Sequence, residues 1–419
     1  MRSNSLLHPK RAPLLVAAPF VLSGAYASAN NLTGLITDLY AALDVVSREL
    51  VGMIPSVSRN ASAERAAVGQ QVKYHITEEA GTSDIVPAMV PPEPDDKAPT
   101  NDYITITKAK KSDFGWTGEE QRGLNNNNAP NYMTIQQDLF IQAMRKLTNE
   151  IEQDLYLAGV AAASAATGTP GTTPFATSVA DSAQVRKLLD DAGAPPADRS
   201  LVGSTSMGAA LRSLANLTRA NEAGTTMTLR DGELLNLNGL SIKESGQARY
   251  GNIVTAGTAA GATTNATGYA IGTTTVTLAS AGTGTIVAGD FIKVAGDARA
   301  YRVVTGDADV SGGGTVVIAA PGLMQAIPAV ATGITVMKNT GGYELGLAFP
   351  RSAIQLACRA PALPEQGDSA IDRMQLTDPR SGMTYEVSLY AGYRKISAEV
   401  AAAWGWKVVK KQHMVGLFG

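Results

Sequence analysis

The 419-residue sequence predicts an α+β fold interrupted by an all-β module, and three observations carry that prediction. Residues 131–165 hold an apolar stripe at helical spacing. Two alternating segments bracket a proline-broken stretch between them. Composition turns to Gly, Thr, Ala and Val at Gly251 and turns back near Lys338. A chain of this length exceeds one compact core, so two or more lobes are expected.

In chain order, Lys10 and Arg11 precede the apolar run Leu14–Leu22, and Ala25-Tyr-Ala27 has the form of a signal-peptidase site. A secretory signal, a start codon placed too far upstream and a flexible arm all account for these residues. Leu35, Leu39, Leu43, Val46 and Leu50 then recur on one face of a helix over 32–54 that Pro55 ends. Gln71–Thr77 and Tyr103–Lys110 alternate like strands. Pro87, Pro91, Pro92, Pro94 and Pro99 lie between them, too many for a central sheet. A long two-stranded arm with an irregular tip follows, and an isolated hairpin needs a partner surface.

The strongest helix comes next. Thr134-Ile-Gln-Gln137 has the form of a capping box, and Ile135, Leu139, Met144, Leu147, Ile151 and Leu155 make the stripe. Gln142, Arg145 and Glu152 are assigned to the opposite, polar face. Such a helix spans roughly 45–50 Å, a spine longer than one small lobe needs. After the linker Gly168–Pro174, residues 181–250 read as mixed α/β, with helices at 182–192 and 206–217 and a strand at 200–203. In the β module, strands are expected at 274–279, 290–294, 300–305 and 315–319, each bounded by Gly or Asp. From Gly342 the mixed character resumes, ending in the alternating Met383–Leu389 and the apolar Trp404–Val409.

The chemistry-bearing patterns are sparse. The net charge of −2 and the lack of a long basic stripe argue against phosphate-led nucleic-acid binding. One cysteine, Cys358, sits among Ile354, Leu356 and Ala357 and reads as a small core residue. With three histidines, His8, His75 and His413, no usual soft-ligand metal site is expected, and no cofactor. Gly203–Gly208 lacks the spacing of a nucleophile elbow, and Val287 stands where a dinucleotide loop beginning at Gly282 needs its third glycine. There is no Walker A sequence and no HExxH. The carboxylate pairs Glu78-Glu79, Asp95-Asp96 and Asp190-Asp191 read as solvated charge, so an enzyme is not expected. Beyond residue 30 no apolar run is long enough to cross a bilayer.

Charge does point to assembly. The arm's tip is acidic, with Glu93, Asp95 and Asp96, while its base carries Lys108, Lys110 and Lys111. Arg394, Lys395 and Lys407 add a basic C-terminal region. These nine residues are the candidate inter-subunit contacts, an acidic tip docking on a neighbour's basic patch.

The order helix, extended arm, spine helix and α/β lobe resembles the Hong Kong 97-type fold of tailed-bacteriophage capsid proteins. The β module narrows the resemblance to the branch of the short-tailed Salmonella phage coat protein. Val185–Pro195, Asp198–Val202, Leu237–Ser245, Gly289–Gly296, Leu347–Ile354 and Asp378–Leu389 look like that branch. The resemblance implies an atypical extension at 1–30, an N-arm at 31–70 and an E-loop at 71–112. It also implies a spine helix with P domain and the first part of the A domain at 113–250. A β-barrel insertion domain at 251–338 and the A/P return at 339–419 complete the implied layout. It further implies a shell subunit that assembles with itself into hexamers and pentamers, works with scaffolding and portal proteins in the host cytoplasm, and encloses double-stranded DNA. Against it stands a secreted or surface bacterial β-rich structural protein, which the signal-like start favours.

Overall fold

The computed structural model describes residues 51–76, 84, 85, 87, 89, 100–126, 132–214, 236–248, 253, 257–378 and 382–419. The signal-like start, most of the 32–54 helix and the arm's tip lie outside these residues. The architecture is mixed α+β, as expected.

The first half of the described chain runs β1 (Ser58–Ala66), β2 (Gln71–Ile76), β3 (Thr100–Thr105), β4 (Lys108–Thr117), α1 (Gly118–Asn126), α2 (Tyr132–Ala162), β5 (Ala165–Thr167), α3 (Ala180–Asp191), β6 (Arg199–Gly203), α4 (Thr205–Ser213), β7 (Asn236–Leu237) and β8 (Leu240–Glu244). The second half is all strand apart from short 3-10 turns. It runs β9 (Thr275–Leu278), β10 (Phe291–Val294), β11 (Ala300–Thr305), β12 (Gly314–Ile318), β13 (Ile334–Val336), β14 (Leu345–Pro350), β15 (Ile354–Pro361), β16 (Ala370–Thr377), β17 (Thr384–Gly392), β18 (Lys395–Val408) and β19 (Val415–Phe418).

Two sheets and one helix organise these elements. One sheet has the order β1-β15-β18-β17-β16, with β4 on the free edge of β18. The other runs β13-β10-β11-β5-β19-β14-β6-β8-β7, with β12 and β9 branching from β11. Helix α2, 31 residues and about 46 Å long, packs on β4 and β18 of the first sheet and on β14 of the second. Its Phe140, Met144, Leu147, Ile151 and Leu155 share one core with Tyr385, Val387 and Trp404 from one sheet and Leu345, Leu347 and Phe418 from the other. The helix begins at Tyr132, so Thr134 falls inside its first turn and is not the cap.

The polar face assigned to this helix is where the structure differs most from expectation. Glu152 is completely buried. A second row, Thr148-Glu152-Tyr156 at i, i+4 spacing, is covered as fully as the apolar one. Each member is held by a hydrogen bond to a different element. Thr148 Oγ1 lies 2.7 Å from Tyr385 Oη, and Tyr156 Oη donates to the Leu345 carbonyl at 2.5 Å. Glu152 accepts the backbone N–H groups of Gly52, Met53 and Ile54 at 2.7, 2.7 and 2.9 Å. Those amides open the 3-10 turn Ile54–Ser56, where backbone donors have no partner of their own, and a carboxylate fits them.

The arm also departs from the simple pattern. Among the described residues strands β2 and β3 pair only with each other, antiparallel, from Gln71↔Thr105 to Ile76↔Thr100. The predicted single strand Tyr103–Lys110 is broken at Ile106-Thr107, beyond which β4 crosses to the edge of β18. The crossing is tight: a Cβ on Gly405 would sit 2.0 Å from the Thr105 carbonyl oxygen and 2.8 Å from Ile106 Cα. Thr107 N–H meanwhile donates to the Trp404 carbonyl at 3.0 Å. A methyl group there must push two backbones apart. Gly405→Ala is expected to destabilise the protein by about 2–3 kcal/mol, read as a lower denaturation midpoint, with protection lost first at residues 104–108.

Strand β17 was expected to alternate, yet residues 384–389 are buried on both faces. Tyr385, Val387 and Leu389 face the core, while Glu386 lies under the ion-paired Arg65 and Arg373, with Arg373 Nε 3.3 Å from it. Long arginine stems cover a polar strand face that a hydropathy pattern scores as open to solvent.

In the glycine-rich module, four predicted strands correspond to β9, β10, β11 and β12, and β13 adds a fifth. Their pairings run in a ring. The order β9-β12-β11-β10-β13 follows from the ladders. Residues 262–265 close it, with Ile334 N–H donating to Ala262 O, Asn265 N–H to Thr277 O and Ala279 N–H to Thr263 O. The inward residues, among them Val276, Leu278, Ile292, Val303, Val316 and Ile334, form a core of their own. The module is nevertheless not detached from the lobe. Strand β5, which directly follows α2, pairs antiparallel with β11 and parallel with β19. That stitches the ring into the larger sheet.

Candidate assembly surfaces

The arm's base is built from three kinds of contact. Ile104, Ile106 and Ala66 bury against Ala357 and Ala403 in a small core of their own, with Val72 and Tyr74 packed on it. Asp102 on β3 accepts Lys407 Nζ from β18 at 2.5 Å and Tyr74 Oη at 2.8 Å. Alongside, β4 presents a ladder of lysines to the spine helix. Lys108 Nζ reaches Asp154 at 2.7 Å, Lys110 pairs with Glu150, and Lys111 reaches Glu399 on β18 at 3.1 Å. The joint is completed by Trp404 Nε1, which donates to the other oxygen of Asp154 at 2.9 Å.

Of the sequence-predicted contacts, Lys108, Lys110, Lys111 and Lys407 are therefore paired within the chain, not held free for a neighbour. The arm's base and the C-terminal basic region, separated by about 290 residues in sequence, belong to one surface because β4 and β18 are adjacent strands. Arg394 and Lys395 lie elsewhere, at the β17–β18 hairpin tip. Tyr393 there is 93% exposed, Arg394 has a left-handed backbone and stacks 6.0 Å over the Tyr393 ring, and Lys395 has no ion pair among the described residues. These residues border an open groove of about 710 Å³ that Trp116 and Arg122 also line. Glu93, Asp95 and Asp96 lie outside the described residues.

Lys407 pulls Asp102 down to about 2, with Tyr74 and a backbone amide adding to the effect. A carboxyl depressed below its ordinary 3.8 stabilises the fold above that pH, and the contribution is lost as pH falls toward about 2. Both partners are partly exposed, so solvent screening holds the pair to about 0.2–1 kcal/mol. Lys407→Met is expected to leave the global midpoint nearly unchanged but to speed hydrogen exchange of the β2 and β3 amides at neutral pH. Acidification from pH 4 toward 2 should give the natural chain the same signature; equal exchange in both chains would show that the pair does not hold the arm.

Of the carboxylate pairs, Glu78-Glu79 and Asp95-Asp96 lie outside the described residues, while the third has structural partners. Asp190 pairs with Arg199 at 2.6 Å and Asp191 with Lys187 at 2.8 Å. Cys358 is buried, its thiol pushed up to about 11 by burial, and it donates to the Thr384 carbonyl at 3.3 Å. Among the described residues no group of three or more His, Cys, Asp or Glu is placed to hold a metal ion. Nor is any described helix long and apolar enough to cross a membrane. Sequence reasoning missed Asp154, Asp102 and Glu152 as organising groups. For Glu152 and Asp154 the available signal was an acid on or beside a long apolar helix face.

No family model matches the sequence, and no curated protein matches it. Solved structures do. The capsid of the cyanophage P-SCSP1u is 13% identical with a TM-score of 0.43, the match covering 87% of this chain and 86% of that one. A structure from Mycobacterium phage Che8 is 15% identical with a TM-score of 0.39, covering 84% and 85%. A virus-like particle from Pyrococcus furiosus is 10% identical with a TM-score of 0.35, covering 91% and 98%.

Proposed function

We propose that this chain is the major capsid protein of a tailed bacteriophage, of the Hong Kong 97 type, in the branch whose A domain carries a β-barrel insertion. The observation that carries the reading is the arm. Among the described residues strands β2 and β3 pair with nothing but each other, and a two-stranded ribbon is marginal in water unless it lies on another surface. Its base is fastened to the spine helix and to β18 by buried and charged contacts. A ribbon secured only at its root serves a subunit that lies among copies of itself. The ring of strands at 262–336 supports the insertion, with the N-arm, E-loop, spine, P and A domains as the frame around it.

In this reading the subunit forms hexamers and pentamers of an icosahedral shell, assembles with scaffolding and portal proteins in the host cytoplasm, and encloses double-stranded DNA. The acidic Glu93, Asp95 and Asp96 meet the hairpin tip of a neighbour at Arg394 and Lys395, since the remaining lysines are taken by their own subunit. Lys108, Lys110, Lys111 and Lys407 instead fasten the arm's base within its own subunit. Reversing Asp95 and Asp96 to Lys is expected to slow assembly, and unchanged assembly kinetics would remove this contact from the proposal.

The deciding experiment expresses the chain from Ala29, with and without a candidate scaffolding protein, followed by sedimentation and negative-stain microscopy. Closed shells or aberrant polyhedral particles are the expected result. A monodisperse monomer that never polymerises, even with scaffold, overturns the capsid reading.

A further inference from the structure

Three cations from distant parts of the chain converge on residues 56–59. Lys243 of β8 donates its Nζ to Ser56 Oγ at 3.0 Å. Arg351, in the turn between β14 and β15, donates Nε to the Val57 carbonyl at 3.3 Å. Arg59 of β1 is the third, and its guanidinium packs beside Gly382 at the β16–β17 turn. Lys243 and Arg351 are thus met by neutral oxygens, and among the described residues neither forms an ion pair.

The acids nearby leave the outward face cationic. Glu152 is fully buried and spends its oxygens on the amides of Gly52, Met53 and Ile54. Asp378, which faces Arg59, is 3% exposed. Asp198 is the exposed acid on this rim, and its carbonyl accepts the Arg351 N–H at 3.0 Å. Arg351 itself is exposed, while Lys243 and Arg59 are half-buried. Burial lowers the Lys243 amine, and Arg351 and Arg59 lower it further against the opposing pull of Glu152. Burial and Arg351 act on Arg59 in the same sense, with Asp378 opposing them. Like charges gathered this way repel one another, and an external anion relieves them together.

Two guanidinium forks and one amine suit phosphate oxygens. None of the exposed large apolar side chains among the described residues lies at 51–60, 240–245 or 350–353. A docked protein would need an apolar centre there, whereas a nucleic-acid backbone needs only charge. We infer that Arg59, Lys243 and Arg351 form a phosphate-binding patch that contacts the backbone of double-stranded DNA. The partner's identity as packaged DNA rests on the capsid reading; the patch itself is complete in one chain. It is no basic stripe in the sequence, because β1, β8 and the β14–β15 turn each supply one member.

The test is fluorescence anisotropy of a short labelled DNA duplex titrated with the full-length chain across a salt series. The double variant Lys243→Gln with Arg351→Gln is compared with Arg394→Gln with Lys395→Gln, which removes the same charge at the β17–β18 hairpin. Saturable binding at low salt is expected, weakened at least about tenfold in the first variant, with its salt slope shallower by about one unit per lost cation. The hairpin variant should bind nearly as the natural chain does, and polyglutamate should displace the duplex poorly. Denaturation midpoints check folding, and Arg351→Gln alone, at an exposed side chain, gives the one-unit change should the double variant misfold. No saturable binding by the natural chain, equal losses in the two double variants, or displacement by polyglutamate as effective as by unlabelled duplex overturns the inference. Shell formation is scored separately, so a chain that assembles but does not bind duplex overturns this inference alone.

Discussion

Replacing Glu152 by Ala is expected to destabilise the protein by about 3–5 kcal/mol, because it strips three buried backbone donors of their acceptor at once. The side chain is fully buried, and its two oxygens take the amides of Gly52, Met53 and Ile54. Burial pushes its carboxyl above the ordinary range, while the Met53, Ile54 and Gly52 amides and Ser245 pull it back. Every neighbour is a donor, so the acceptor-only carboxylate fits the pocket and a protonated acid does not. Glu152→Gln separates charge from shape. The amide fills the same volume but turns one NH₂ toward a backbone N–H, and about half of the loss should remain. Urea denaturation of the monomeric protein reads both, and a Glu152→Ala midpoint equal to that of the natural chain would show that the turn at 52–56 is held by something else.

How far the sequence reveals the fold depends on which force shapes each element. The strands of the β module were legible because burial is one-sided there and leaves a period of 2 in the side chains, and helix α2 because its apolar stripe keeps a period of 3.6. Cys358 and the Trp404-Gly-Trp406 run were legible because apolar residues immediately precede each of them. Strand β1 was not. Its sequence, Ser58-Arg-Asn-Ala-Ser-Ala-Glu-Arg-Ala66, carries no apolar alternation, because it is an edge strand fixed by parallel pairing with β15 and by arginines. The row Thr148-Glu152-Tyr156 reads as a polar face, and only the positions of the 3-10 turn, Tyr385 and Leu345 turn it into an interior one. The basic patch shows the converse. Lys108, Lys110 and Lys407 look like free charge in sequence, yet Asp154 and Glu150 are set opposite the first two by the packing of α2 on β4, and Asp102 is set opposite Lys407 by the packing of β3 on β18. The ring in the module closes through residues 262–265, which form bridges without a strand signature, so closure was invisible to pattern.

The second large effect falls on the joint between spine and arm. Trp404→Ala is expected to cost about 4–5 kcal/mol, combining loss of a fully buried aromatic side chain with loss of the indole N–H that satisfies Asp154. Trp404→Phe keeps most of the volume and removes the donor, so it isolates the hydrogen bond at about 1–3 kcal/mol. A double-mutant cycle of Trp404→Phe with Asp154→Leu then measures the link itself, and a coupling of about 1–2 kcal/mol is expected for groups in direct contact. Coupling near zero would mean that the indole merely fills space and that Lys108 alone anchors Asp154. The assembly readout is separate from the stability readout. Trp404→Phe leaves the core filled but loosens β18 and β4 on α2, the elements from which the arm leaves the body. On the capsid reading proposed above, a folded Trp404→Phe variant should therefore assemble more slowly than the natural chain, by a larger factor than Gly405→Ala at matched stability. Equal assembly rates for the two variants at matched stability would place the arm's orientation outside this joint, in the Ile104 and Ile106 contacts with Ala357 and Ala403.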